Sequence, residues 1–182
     1  MRQAALAAAF FLLSGAATAD EMVAVCYGYG CSAQAEIRYS TGQQGEVRRL
    51  LAYAGDPASE RIILGKVVGR LYRWAGEQSP VREDRGGNYA DSDAPGKMDC
   101  IDHSTSTTRL LEMLQRLGYL RWHRVLAAEP RYLLGVIANH WSAVIEEKGG
   151  GRYVVDSWFV NNGEPAVILP LEEWKKGAGP DV

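Results

Sequence analysis

Apolar positions along this chain change period part-way. From Ala58 to Glu77 they recur at helical spacing: Ile62, Ile63, Val67, Val68, Leu71, Tyr72, then Trp74 or Ala75. That spacing predicts a core-packing helix. Ahead of it, Thr41-Gly42-Gln43-Gln44 opens a helix with Thr41 as N-cap, running to about Ala54, where Gly55-Asp56-Pro57 breaks it. A further helix is predicted from Asp99 to Leu117. Cys100, Ser104, Thr107, Leu111 and Leu114 share one face of it, while Asp102, Arg109, Glu112 and Arg116 lie toward the other. Gly118 closes it as a C′ glycine.

Beyond Gly118 the pattern shortens to strands: Trp122 to Leu126, Tyr132 to Ile137, Trp141 to Glu146, Tyr153 to Trp158 and Ala166 to Leu169. Lys148-Gly149-Gly150-Gly151 reads as a hairpin, which makes its flanking strands antiparallel neighbours. Short strands at Val23 to Val25 and Glu36 to Tyr39, and a short helix at Leu171 to Trp174, complete the picture. The fold class expected is α+β.

Residues 78–98 interrupt this regularity. They carry Pro80, Gly86, Gly87, Pro95 and Gly96, many charges and few apolar side chains. A structureless link of that length inside a compact domain is uncommon unless it serves function. It leads directly to Cys100, so either a substrate-facing loop or an ordinary mobile surface link is expected.

The first 19 residues read as an export signal. Arg2 gives a positive start, Ala4 to Leu13 an apolar stretch, and Ala17-Thr18-Ala19 a cleavage site before Asp20. The stretch is too short to span a bilayer. Residues 20–182 are then one domain, and a periplasmic or secreted location is expected. In such an oxidising compartment Cys26 and Cys31, with Gly28 and Gly30 between them, are placed to form a disulfide in the segment 20–40. Cys100 remains as the odd thiol, either a reactive group or a buried core cysteine.

Composition narrows the partners. Of 182 residues, 23% are charged and the net charge is −2; basic residues are scattered, which argues against nucleic-acid binding. The oligomeric state is left open.

Cys100, His140 and Asp156 supply a thiol, an imidazole and a carboxylate in that order. Cys100 opens a helix, where unpaired N–H groups and the dipole favour a thiolate and the same N–H groups suit an oxyanion. His140 just before one hairpin strand and Asp156 late in the next are brought to one end of a sheet by chain reversal. Nucleophile, base and base-orienting acid are the roles this set suggests.

These residues resemble the transglutaminase-like branch of the papain-like cysteine peptidase superfamily. Gly96, Cys100, Asp102, Ser104, Leu110, Leu111, Leu114 and Gly118 match its nucleophile helix. His140, Trp141, Ala143 and Ile145 match its histidine block, and Tyr153, Val154, Val155 and Asp156 its aspartate strand. The likeness covers about Lys66 to Leu169. It departs in having no residue between His140 and Trp141, and Ser157-Trp158 in place of a proline after Asp156. The resemblance implies a papain-like core, with the nucleophile helix packed on an antiparallel sheet, and a cysteine-dependent peptidase, amidase or amide acyl transferase. It implies a protein or peptide substrate, including cell-envelope ones, and no cofactor. Some relatives need calcium, for which no specific loop is present here. Asn88, Tyr89 and Trp74 are the candidates for an oxyanion-hole side chain.

Two other readings stand beside it. One is a peptidoglycan peptidase of the NlpC/P60 kind, suited by Asp99-Cys100 and export but normally completed by a further histidine. The other is a non-catalytic binding module on a degenerate transglutaminase-like fold. His103, one turn from Cys100, could be mistaken for its base, although a base on the same helix leaves little room for substrate. A zinc site of Cys100, His103 and His140 has a spacing that matches no recognised ligand pattern.

Overall fold

The computed structural model describes residues 19–87, 93–133 and 136–180. The export-signal reading of the first 19 residues therefore falls almost wholly outside the described residues, as do Asn88 and Tyr89. The element order is β1 (Glu21–Tyr27), β2 (Ala33–Tyr39), α1 (Thr41–Ala52), α2 (Pro57–Gly76), a 3-10 turn (Pro80–Glu83), α3 (Cys100–Arg116), β3 (His123–Leu133), β4 (Ile137–Glu147), β5 (Arg152–Asp156), β6 (Val167–Pro170) and α4 (Leu171–Lys175). The chain is mixed α+β, and both of its sheets are antiparallel.

Capping fixes where the helices start. Ser40, not Thr41, caps α1: its side chain accepts from the Gln43 amide, while the Gln43 side chain takes the Ser40 N–H. Asp56 and Ser59 make the same reciprocal box at α2, with Pro57 in the first turn.

Helix α3 is held from two sides. On one, it lies along the unpaired edge of β1: Ser106 accepts from the Cys26 amide at 2.8 Å, and Arg109 donates to the Ala24 carbonyl at 3.0 Å. These bonds blunt an edge that would otherwise be free to pair. Toward the four-stranded sheet, Leu110, Leu111 and Leu114 share a core with Ala143, Ile145 and Val155. That core continues to Val23, Val25, Ile37 and Tyr39 of the first hairpin and to Leu64, Val67, Val68 and Leu71 of α2. The one-faced amphipathic helix expected from the sequence is therefore corrected. Asp102 is buried under the loop of the first hairpin, and His103 against Tyr72, Asp84 and Ser157.

The second sheet runs β3-β4-β5-β6. Five strands were expected after Gly118 and four form. Trp122 to Leu126 and Tyr132 to Ile137 are not separate strands, because β3 runs through to Leu133 with its register shifting between Leu126 and Glu129 and again at Arg131. Pro130 lacks an N–H and reads as a break, but β3 is an edge strand, where a missing donor is tolerated. Strand β5 stops at Asp156 rather than Trp158. The Asp156 side chain accepts the Trp158 amide at 3.2 Å and turns the chain. The other face of this sheet buries Val144 and Val154 against Phe159, Leu171 and Trp174, so β4 and β5 are apolar on both sides. Among the described residues no helix is long and apolar enough to cross a membrane.

Candidate active site

Cys26 and Cys31 are bonded to each other, which leaves Cys100 as the free cysteine. Their loop does more than close a small ring. Gly28, Tyr29, Gly30 and Cys31 all have positive φ, between 57° and 86°. Two of them carry side chains, so this left-handed turn is strained unless its surroundings hold it. What holds it is the start of α3. The amides of Tyr29 and Cys31 donate to Asp102 at 2.8 and 2.7 Å, that of Gly30 donates to Asp99 at 2.9 Å, and that of Gly28 donates to the Lys97 carbonyl at 2.8 Å. Successive backbone amides in such a turn form a concave anion nest, here filled by two carboxylates of the same chain. The Asp102 carboxyl is nevertheless pushed up to about 6, first by burial, and the charge of Asp99 adds to this against the amides that lower it.

Cys100 is the first residue of α3, as expected, but the environment around its sulfur differs from the one expected. Asp99 is the N-cap and takes the Ile101 and Asp102 amides at 3.0 and 2.9 Å. Two of the helix-end donors that were to favour a thiolate are thus spent on a carboxylate, while the Cys100 amide still acts on its own sulfur. Burial pushes the half-buried Cys100 thiol up, and the Asp99 and Asp156 charges add to that. The Trp141 backbone N–H, hydrogen-bonded to the sulfur, opposes it. That contact sets the thiol against β4 at the residue following His140.

His140 and Asp156 meet. The ring Nε2 lies 2.8 Å from Asp156 Oδ2, with the two side chains 3% and 1% exposed. A carboxylate can only accept, so Nε2 carries the hydrogen of this bond. The same Oδ2 accepts the Trp174 indole N–H at 2.9 Å, and Oδ1 accepts the Trp158 amide. The imidazole sits in an aromatic box, with ring centroids of Trp158, Trp174 and Phe159 at 4.6, 5.5 and 5.6 Å. Three rings and a carboxylate with two further donors leave His140 little rotational freedom.

The other histidines are engaged elsewhere. His123 Nδ1 faces Glu60 at 2.9 Å. His103 has Ser157 Oγ at 2.9 Å from Nδ1 and Asp84 Oδ2 at 3.2 Å from Nε2, so neither nitrogen is turned to Cys100. The triple of Cys100, His103 and His140 is not brought together as ligands. Among the described residues the potential ligands that cluster are Cys26, Cys31 and Asp102, and there the two sulfurs are already joined. Trp74 is likewise no oxyanion donor. It lies beside Met113, Leu114 and Leu117, near the far end of α3 and about 20 Å along the helix from Cys100.

Sequence reasoning missed Asp84, Ser157 and Trp174, which approach the site only through tertiary packing. Ser157, next to Asp156, gave the one local signal. Compared with models of protein families, with curated proteins and with solved structures, the chain matches none.

Proposed function

We propose that this chain is an exported cysteine-dependent amide-bond hydrolase or acyl transferase with a papain-like, transglutaminase-like core, in which Cys100, His140 and Asp156 act as a triad. One observation carries this reading: a buried, ring-caged His140–Asp156 pair is followed directly by the residue whose amide reaches the Cys100 sulfur. The Cys26–Cys31 disulfide supports the extracytoplasmic location.

In this mechanism His140 Nδ1 takes the thiol proton and Cys100 attacks the carbonyl carbon of an amide. The C–N bond breaks as His140 returns the proton to the leaving amine, and the thioester is then opened by water or by a second amine. Asp156 fixes the imidazole tautomer and supports the imidazolium. The elevated thiol makes this last role essential. With Asp99 and Asp156 both acidic, imidazolium formation at His140 is the means by which a thiolate is stabilised near neutral pH.

The same elevation favours the second reading, a binding module whose thiol is inert. Activity profiling of the wild type against Cys100→Ala, on cell-envelope proteins, peptides and peptidoglycan, separates them. Loss of processing in the variant alone supports the enzyme. Identical profiles, with a Cys100 no more reactive toward iodoacetamide than free cysteine, support the module.

A further inference from the structure

A second buried polar network lies behind the His140–Asp156 pair. His103 is 3% exposed and joins Asp84 on one side to Ser157 on the other. Ser157 also shares a hydrogen bond with Thr107 Oγ1 at 2.9 Å, and Thr107 shares another with the Tyr72 hydroxyl at 2.9 Å. Burying a carboxylate and an imidazole is costly unless their partners are complete.

Where this network ends distinguishes it from ordinary core polarity. Ser157 directly follows Asp156. Asp84 accepts the Met98 amide at 3.0 Å, two residues before Cys100. His103 itself stands one turn after Cys100 on α3. A single imidazole therefore ties together the three segments that bring up the thiol and the acid. The Glu60–His123 pair is equally buried, yet it ends on the Arg121 and Trp122 amides, away from all three.

We infer that Asp84, His103 and Ser157 are positioning residues: the Asp84–His103 pair, acting through the Ser157 hydroxyl, holds the turn after β5 so that Asp156 meets His140. The inference rests on the proposed triad for its catalytic meaning, but its geometry concerns the His140–Asp156 bond alone. The acidic groups acting on His103 are Asp84, Asp156 and Asp102, and Tyr72 stacks on its ring at 5.8 Å. Burial works against an imidazolium here, but the Asp84 charge and its contact prevail, and the His103 pKa is raised. Nδ1 shares its hydrogen bond with Ser157, and Nε2 faces the Asp84 carboxylate at 3.2 Å as an ion-pair contact.

The test uses the full chain and its own internal control. The chain has three histidines, so their ring N–H resonances are assignable by single substitution. Two ring protons end on Asp156, from His140 Nε2 and Trp174 Nε1, and one ring proton ends on Glu60, from His123. In Asp84→Asn and in Ser157→Ala, the His140 and Trp174 protons are expected to exchange with water about tenfold faster, which is the loss of one hydrogen bond's worth of restraint. The His123 proton is expected to keep its rate. Ser157→Thr, which retains the hydroxyl, is expected to restore slow exchange. Unchanged exchange at His140 and Trp174, or equal acceleration at all three positions, overturns the inference. Should Asp84→Asn fail to fold, the Ser157 pair decides alone. Iodoacetamide labelling of Cys100 in the same samples reads the triad separately. A wild-type thiol as slow as free cysteine defeats the enzyme reading, while the exchange rates still decide this one.

Discussion

At the residue scale, Cys100 is held as a thiol: burial and the Asp99 and Asp156 charges push its pKa up, against the Trp141 amide and its own. In the proposed mechanism the His140 imidazole takes that proton. Removing the imidazole should expose the bare thiol. In His140→Ala, iodoacetamide alkylation should rise only at pH above the ordinary thiol value of 9.0, because the folded value is raised. The wild type should show an added reactive form at lower pH, measured as a second limb of the rate profile. Asp156→Asn keeps the shape but leaves the imidazole in the wrong tautomer. It should lower kcat on an amide substrate by about 10²–10⁴-fold. That His140 and Asp156 meet, and that Cys100 opens α3, was legible from the sequence. What surrounds them was not, because Asp84, Ser157 and Trp174 arrive from segments whose local patterns say nothing about their depth.

Glu60 gives a second residue-scale prediction, away from the site. It is fully buried and accepts from the Arg121, Trp122 and His123 amides as well as His123 Nδ1. Burial alone would raise its carboxyl, but His123 and these amides outweigh that and the pKa is lowered. The folded state thus binds this proton less tightly than the unfolded chain. The stabilisation is fully present above the ordinary value of 4.5 and is lost as pH falls through the lower folded value. Glu60→Ala should cost about 3 kcal/mol near neutral pH by denaturant unfolding, since four donors lose their acceptor. The gap from wild type should narrow in acid.

At the element scale, α2 shows how helix spacing alone can mislead. Gly65 and Gly69 read as weak points in a helix, and an exposed glycine there would gain up to about 1 kcal/mol on becoming alanine. Here both face the segment before β6. A Cβ on Gly65 would meet the Ala166 carbonyl oxygen at 2.7 Å, and one on Gly69 would collide with the Glu164 carbonyl. Gly65 also accepts the Ala166 amide at 3.0 Å. Backbone against backbone has no flexible end to yield, so the steric term wins over propensity. Gly69→Ala should destabilise by about 1–3 kcal/mol in chemical unfolding. Gly55→Ala, where an added Cβ meets nothing within 4 Å, is the control. The helices and the Lys148–Gly151 hairpin were legible because caps and glycines act locally. The continuity of β3 was not, since tolerance of Pro130 depends on strand order in the sheet.

At the scale of the whole molecule, the first hairpin decides how the rest is held. The resemblance expected from the sequence begins near Lys66 and leaves residues 20–40, the disulfide-containing start of the single domain, outside it. In the structure that piece is part of the main core. Val23, Val25, Ile37 and Tyr39 are buried in it, and the loop between the strands clasps Asp99 and Asp102 on either side of the thiol. Two experiments separate the roles of strands and bridge. Removing residues 20–40 strips the cover from one side of α3, taking the Tyr29 and Cys31 amides from Asp102 and the Ala24, Cys26 and Gln34 contacts from Arg109. The truncated chain should lack a cooperative thermal transition by circular dichroism. Replacing both Cys26 and Cys31 by serine keeps the strands and loses only the link. A bridge across five residues constrains the unfolded chain modestly, so the cost should be about 2 kcal/mol, with a cooperative transition retained. The strained turn would then be held by the two acids it binds and the Lys97 carbonyl. Loosening should therefore concentrate where those acids sit, seen as faster amide exchange at Tyr29, Cys31 and the first turn of α3, with β4 and β5 unchanged. A uniform loss of protection across both sheets would mean that the bridge stabilises the molecule at large rather than the start of α3.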